Sequence, residues 1–145
     1  MPQIIPLISS GTAGPLGVLH LPRLWLKASL VAAGKNHPDY VICNGYDTMV
    51  LGALGIDKAE FETFIADQKP TYPQLESWIL EKSGGSLDAA AVTKLNSSIT
   101  GYHHGEDLRK EILGASGIPD DGSLPDAINL NNLDDWLTFH REVIS

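Results

Sequence analysis

The sequence predicts an all-α protein, a single compact irregular bundle of six to seven short helices, and three observations lead there. Apolar residues recur at three- and four-residue spacing in one window after another. Each window is bounded by helix punctuation, with capping side chains before it and Gly or Pro after it. There is no convincing run of alternating β-branched residues, and no two such runs flank a hairpin turn. A chain of 145 residues supports one core that buries roughly two thirds of its unfolded surface. No internal repeat, low-complexity tract or linker divides it. Residues 1–17 read as a flexible or extended lead-in and residues 18–145 as a single helical domain, with Ile4–Ser9 the one candidate for an extended piece.

The first helix is expected to open near Leu19–Leu21, with Pro22 in a first turn where a missing N–H costs nothing, and to close at Gly34. Leu21, Leu24, Trp25, Ala28, Val31 and Ala32 form its apolar stripe, while Arg23 and Lys27, four apart, share another edge. His37-Pro38 follows as a turn. A second helix is expected with Asn44 as its cap, Asp47 at its third position, where a carboxylate suits the helix dipole, and Gly55 at its end. Asp57-Lys58-Ala59-Glu60 reads as a capping box opening a third, with Phe61, Phe64 and Ile65 inward and Pro70 beyond its end. Thr71-Tyr72-Pro73-Gln74 repeats that logic ahead of Leu75, Trp78 and Ile79, and Ser83-Gly84-Gly85 breaks the helix.

Ser86 starts a fifth helix carrying Leu87, Ala90, Ala91, Leu95 and Ile99 to Gly101. Gly105-Glu106-Asp107 opens a sixth with Leu108, Ile112 and Leu113 inward, and Gly114 and Gly117 bracket its end. Ile118–Ser123 is a loop. Asn131 or Asn132 is expected to cap the last helix, whose inner residues are Leu133, Trp136, Leu137, Phe139 or His140, Val143 and Ile144.

The formal charge of −8 argues against a nucleic-acid partner, because affinity for a phosphate backbone comes from Lys and Arg. The N-terminal segment lacks a basic n-region and is broken by Pro2, Pro6, Gly11 and Gly14, so it does not read as a signal peptide. No stretch reaches the ~20 apolar residues of a membrane span. The one cysteine, Cys43, reads as a small buried residue rather than a nucleophile, and a single thiol fits a cytoplasmic location.

Chemistry is sparsely signposted. His103-His104 with Glu106 and Asp107 is the densest group of potential ligands, yet no H-E-x-x-H or paired-cysteine spacing accompanies it, so no metal is expected. The glycines of Gly11–Gly17 lack the Lys-Ser/Thr of a phosphate loop, Asp120-Asp121-Gly122 lacks an EF-hand's spacing, and no cofactor is implied. No G-x-S-x-G elbow marks a serine nucleophile. The best constellation is His20, Arg23 and Lys27, three groups within two turns of one edge that could face an anion or be offset by Asp47.

LPRLWLKASLVAAGK (Leu21–Lys35), then Tyr40 and Asp47, LGALGID (Leu51–Asp57) with Phe61, ESWILE (Glu76–Glu81) and NNLDDWLTFHREVI (Asn131–Ile144) follow one another in an order that resembles a family of small bacterial proteins, domain of unknown function 5069. The resemblance spans nearly the whole chain. It implies a compact helical protein without an assigned activity, so no catalytic residue is carried over. The polar positions that coincide with the pattern are Arg23, Lys27, Lys35 and Asp47; Trp25 and the stretch NHPDYVICNG depart from it.

Two functions are consistent with these residues. One is a non-catalytic binding module for a small anionic ligand or a protein partner, with His20, Arg23, Lys27, Lys35 and Asp47 at the site and exposed aromatics such as Trp25 or Tyr46 adding apolar contact. The other is a small cofactor-free enzyme acting on an anionic metabolite, Asp47 or His20 exchanging a proton. Either fits a monomer or a homodimer.

Overall fold

Local capping chemistry sets most of the helix boundaries. A computed structural model describes residues 3–42 and 45–145, and among them it contains seven α-helices and no strand. They are α1 (Leu21–Ala32), α2 (Tyr46–Leu54), α3 (Lys58–Gln68), α4 (Tyr72–Lys82), α5 (Ala89–Thr100), α6 (Glu106–Ser116) and α7 (Ala127–Phe139). The Asp57 carboxylate accepts the Glu60 N–H at the start of α3, and Thr71 and Gln74 form a complete capping box at the start of α4. Gly55 and Gly117 end α2 and α6 in the left-handed conformation. The expected caps at Ser86 and Asn131 or Asn132 are not used. Asp88 caps α5 by accepting from Ala90 and Ala91, and Asp126 caps α7 by accepting from Asn129. The Asn44 cap and Cys43 lie outside the described residues.

The main core gathers Val18, Leu21, Leu24 and Ala28 from α1 and its approach, Val50 and Leu51 from α2, Phe61 and Ile65 from α3, Leu75 and Ile79 from α4, and Leu95 and Ile99 from α5. Helix α1 lies against α2, α3 and α4, α2 rests on α5, and α5 reaches α7. A smaller cluster of Ile112, Leu113 and Leu130, with Ile118, Leu124 and Leu133 around it, joins α6 to α7. Leu108 is exposed rather than inward.

Helix α7 departs most from the expected register. Its buried residues are Ala127, Leu130, Asp135 and Thr138, while Trp136, Val143 and Ile144 stand about 60% exposed (59%, 60% and 63%). The helix starts five residues before an Asn131 cap would place it, and its packing turns a polar position, Asp135, inward. After Phe139 the backbone widens into a π-helical turn over His140–Ile144, and His37 binds Glu142 there.

The lead-in is extended but packed. Ile4 pairs its backbone with Asn36, and Ile5, Pro6 and Ser10 are buried. Gly14 passes so close to α4 that a Cβ would run into the Tyr72 ring and the Glu76 carboxylate, which is itself buried and accepts from Leu16 N and the Tyr72 hydroxyl.

Truncating Phe61, which is fully buried, to Ala should cost about 3–5 kcal/mol. Trp136→Ala, on an exposed face, should shift stability by under about 0.5 kcal/mol. Urea unfolding of both variants checks the register of α7, since an inward Trp136 would make the two losses comparable.

Candidate functional site

His20 occupies the residue before α1 with φ 70° and ψ −20°, a left-handed conformation that histidine adopts more readily than most side chains. Tertiary hydrogen bonds hold it there. The Asn96 side chain on α5 accepts from Leu19 N and donates to Gly17 O, and His20 N donates to Thr12 O at 3.1 Å. The ring therefore turns away from the axis of α1 and into a cavity of about 340 Å³.

Two ion pairs anchor the floor of this cavity. Asp47, in the first turn of α2, accepts from His20 Nε2 at 2.6 Å through Oδ1 and from Lys27 Nζ at 2.7 Å through Oδ2. On α7, Asp135 takes both Nη atoms of Arg23 at 2.7 and 3.1 Å. The same guanidinium donates to Pro6 O and Ile8 O, which ties the extended lead-in to α1. All five side chains are buried, Asp47 to 1% exposure. The other ring nitrogen of His20 meets Ser10 Oγ at 2.8 Å.

These contacts dictate where the protons sit. Burial pushes the Asp47 carboxyl up, but the His20 hydrogen bond and the Lys27 ammonium outweigh it and bring the group down to about 2. Asp47 is then an acceptor only, so His20 Nε2 carries a hydrogen. Burial lowers His20 itself, and Lys27 and Arg23 add to that against the pull of Asp47, leaving the ring neutral at neutral pH. Its Nδ1 consequently offers a lone pair, and the Ser10 hydroxyl donates to it. Ser10, His20 and Asp47 form a directed line of hydrogen bonds, with Lys27 on the far oxygen.

Aromatic rings make one wall. Tyr46 lies 5.3 Å from His20, Tyr102 lies 5.4 Å from Tyr46, and His104 follows at 5.9 Å, each centroid to centroid. The Tyr46 hydroxyl donates to Ile99 O at 2.8 Å, and burial pushes it up to about 12. Opposite them, Tyr40 places its ring 5.8 Å from the Arg23 guanidinium carbon. Asp39 and Asn131 also line the cavity, and His104 Nε2 bonds Asn131 Oδ1 at 2.7 Å.

Of the residues singled out from the sequence, His20, Arg23, Lys27 and Asp47 converge here, with Asp47 in the second helical position rather than the third. Lys35 does not join them. It is exposed, eight residues past Lys27 and beyond the C-terminus of α1. Trp25 is also elsewhere, its indole donating to Pro70 O beside the edge of Tyr72, whereas Tyr46 is buried in the site rather than exposed. Sequence reasoning missed Ser10, Asp135, Tyr102 and Asn131. The Asp-Asp pair at 134–135 was the available signal for one of them, since a carboxylate in the middle of an amphipathic helix wants a cation.

Among the described residues no group of three or more His, Cys, Asp or Glu side chains could hold a metal ion, and no helix is long and apolar enough to cross a membrane. Comparison with known proteins yields no matching family model and no matching curated protein.

Both titrating groups bind protons more readily in the unfolded chain, so acid should destabilise the fold in two steps. Stability is full above pH 6.5, the ordinary histidine value, and declines below it as His20 of the unfolded chain becomes charged. It falls again from pH 3.8 to about 2 as Asp47 is protonated, a step on the order of 2 kcal/mol. Urea unfolding between pH 8 and pH 2 reads both, and His20→Gln should flatten the first.

Proposed function

We propose that the protein is a binding module for a small carboxylate-bearing ligand seated in the cavity above His20, Asp47 and Lys27. The carrying observation is the Lys27 ammonium. It lines the cavity, is 7% exposed, and uses one donor on Asp47 of the three an ammonium carries. A carboxylate oxygen can take the others at a point where water is scarce and a charge-assisted bond is strong. Asp39 and Asp47 line the same cavity, which favours a single negative charge over a polyphosphate. Tyr46 and Tyr102 suit an apolar or aromatic body. Arg23 serves differently: its charge is matched by Asp135 and its donors hold the lead-in, so it supports the cavity rather than reaching the ligand.

A second reading, a small cofactor-free enzyme acting on an anionic metabolite, is favoured by the line from Ser10 through His20 to Asp47. In both readings the setting is a reducing cytoplasm, consistent with a single cysteine, and the protein works as a monomer or a homodimer. A protein partner in place of the small ligand would have to bring its own carboxylate into the cavity.

Titration with benzoate, followed by amide and imidazole NMR, tests the binding reading. Saturable shifts should centre on His20, Tyr46 and Tyr102, with affinity on the order of 1 mM or tighter. Lys27→Met should weaken it at least about tenfold, or about 1.4 kcal/mol. Shifts that stay linear in benzoate, or that ignore Lys27→Met, would remove it. Arg23→Ala should instead lower the melting temperature, because it leaves Asp135 buried and unpaired at a cost of about 3–5 kcal/mol.

A further inference from the structure

We infer that Ser10 is a nucleophile, and that the line Ser10–His20–Asp47 makes and hydrolyses an acyl-serine from a small carboxylate-bearing ester bound in the cavity. The inference rests on the binding reading for its substrate class, while the nucleophile stands on geometry of its own. Ser10 Oγ lies 2.8 Å from His20 Nδ1, and His20 Nε2 lies 2.6 Å from Asp47 Oδ1. The connectivity is that of a nucleophile, a base and an orienting carboxylate, with the two ring nitrogens in exchanged roles; either nitrogen can act as the base. All three side chains line one cavity.

Ser10 is also held in place as a nucleophile must be. It sits at the corner of a turn closed by Thr12 N donating to Ser9 O at 3.1 Å, and Gly11 N donates to Ser9 Oγ. At the next residue, Gly11, a Cβ would approach the Ile128 side chain of α7 at 3.3 Å, so the turn passes close to that helix. From the other side Arg23 grips Ile8 O.

The chemistry balances with water as the second reactant. Ser10 Oγ attacks the ester carbonyl carbon as its proton passes to His20 Nδ1, giving a tetrahedral oxyanion, while Lys27 holds the carboxylate of the substrate. Collapse breaks the carbon–oxygen bond to the alcohol, which leaves with the proton from Nδ1. Water then attacks the acyl-serine, giving its proton to Nδ1, and the carboxylic acid departs as that proton returns to Ser10. Asp47 keeps Nε2–H in place throughout and gains no proton.

Incubation of the full chain with p-nitrophenyl acetate, followed by intact mass and peptide mapping, tests this. The expected result is one acetyl group on Ser10, within the tryptic peptide ending at Arg23, forming about 100-fold more slowly in His20→Gln and absent in Ser10→Ala. Mapping on the wild-type chain needs no variant to fold. An unmodified Ser10 with no p-nitrophenolate released beyond the Ser10→Ala rate, acetylation only at other residues, or equal rates in His20→Gln would overturn it. Benzoate titration of Ser10→Ala separates the two readings: saturable binding with no acylation of the wild type sinks the nucleophile alone, and acylation of Ser10 without benzoate binding sinks the carboxylate site alone.

Discussion

Asp47 is a carboxylate held almost wholly out of water, and much of the molecule is arranged around keeping it charged. Its two oxygens are taken by groups at different heights on α1, the ring of His20 before the first turn and the ammonium of Lys27 two turns on. Satisfying both at once fixes the separation and rotation of α1 relative to the start of α2. Burying such ions is expensive, and an apolar replacement of similar volume is often as stable. The arrangement is therefore poorly explained as a device for stability. It makes sense where a cavity needs charged groups at its floor in defined positions and protonation states.

Arg23 extends the same constraint to the ends of the chain. One guanidinium joins α1 to the lead-in through two carbonyl oxygens and to α7 through Asp135, so segments far apart in sequence meet at a single planar fork. That fork is planar and rigid. The lead-in in turn carries Ser10 to His20. The cavity is thus assembled from the beginning, middle and end of the chain, and its shape depends on the tether as well as on the residues that line it.

Several features were legible because they are local. The capping box at Thr71–Gln74, the Asp57 cap and the glycines ending α2 and α6 act within a few residues of themselves, and the structure uses each as expected. The shared edge of His20, Arg23 and Lys27 was also readable from spacing, with Asp47 offered only as a carboxylate that could offset it. The failures share one cause. For α7, the face turned inward carries Asp135, whose partner Arg23 lies 112 residues away, a contact that no periodicity records. Lys35 matched the polar pattern but lies past the end of the helix that carries the others, so its side chain joins none of them.

By itself the sequence determined that the chain is helical, roughly where its helices begin and end, and which basic groups share the start of the first one. These follow from backbone donors and acceptors that find partners three or four residues away. Tertiary structure alone decided which carboxylate answers which cation, which face of α7 turns inward, and that a serine in the lead-in meets the histidine. Those outcomes turn on side chains separated by 10, 27 and 112 residues, whose meeting depends on how the helices pack. The reason is one of range: a capping bond forms wherever its residues stand in the chain, whereas a buried ion pair forms only where the whole fold removes water from both partners at once.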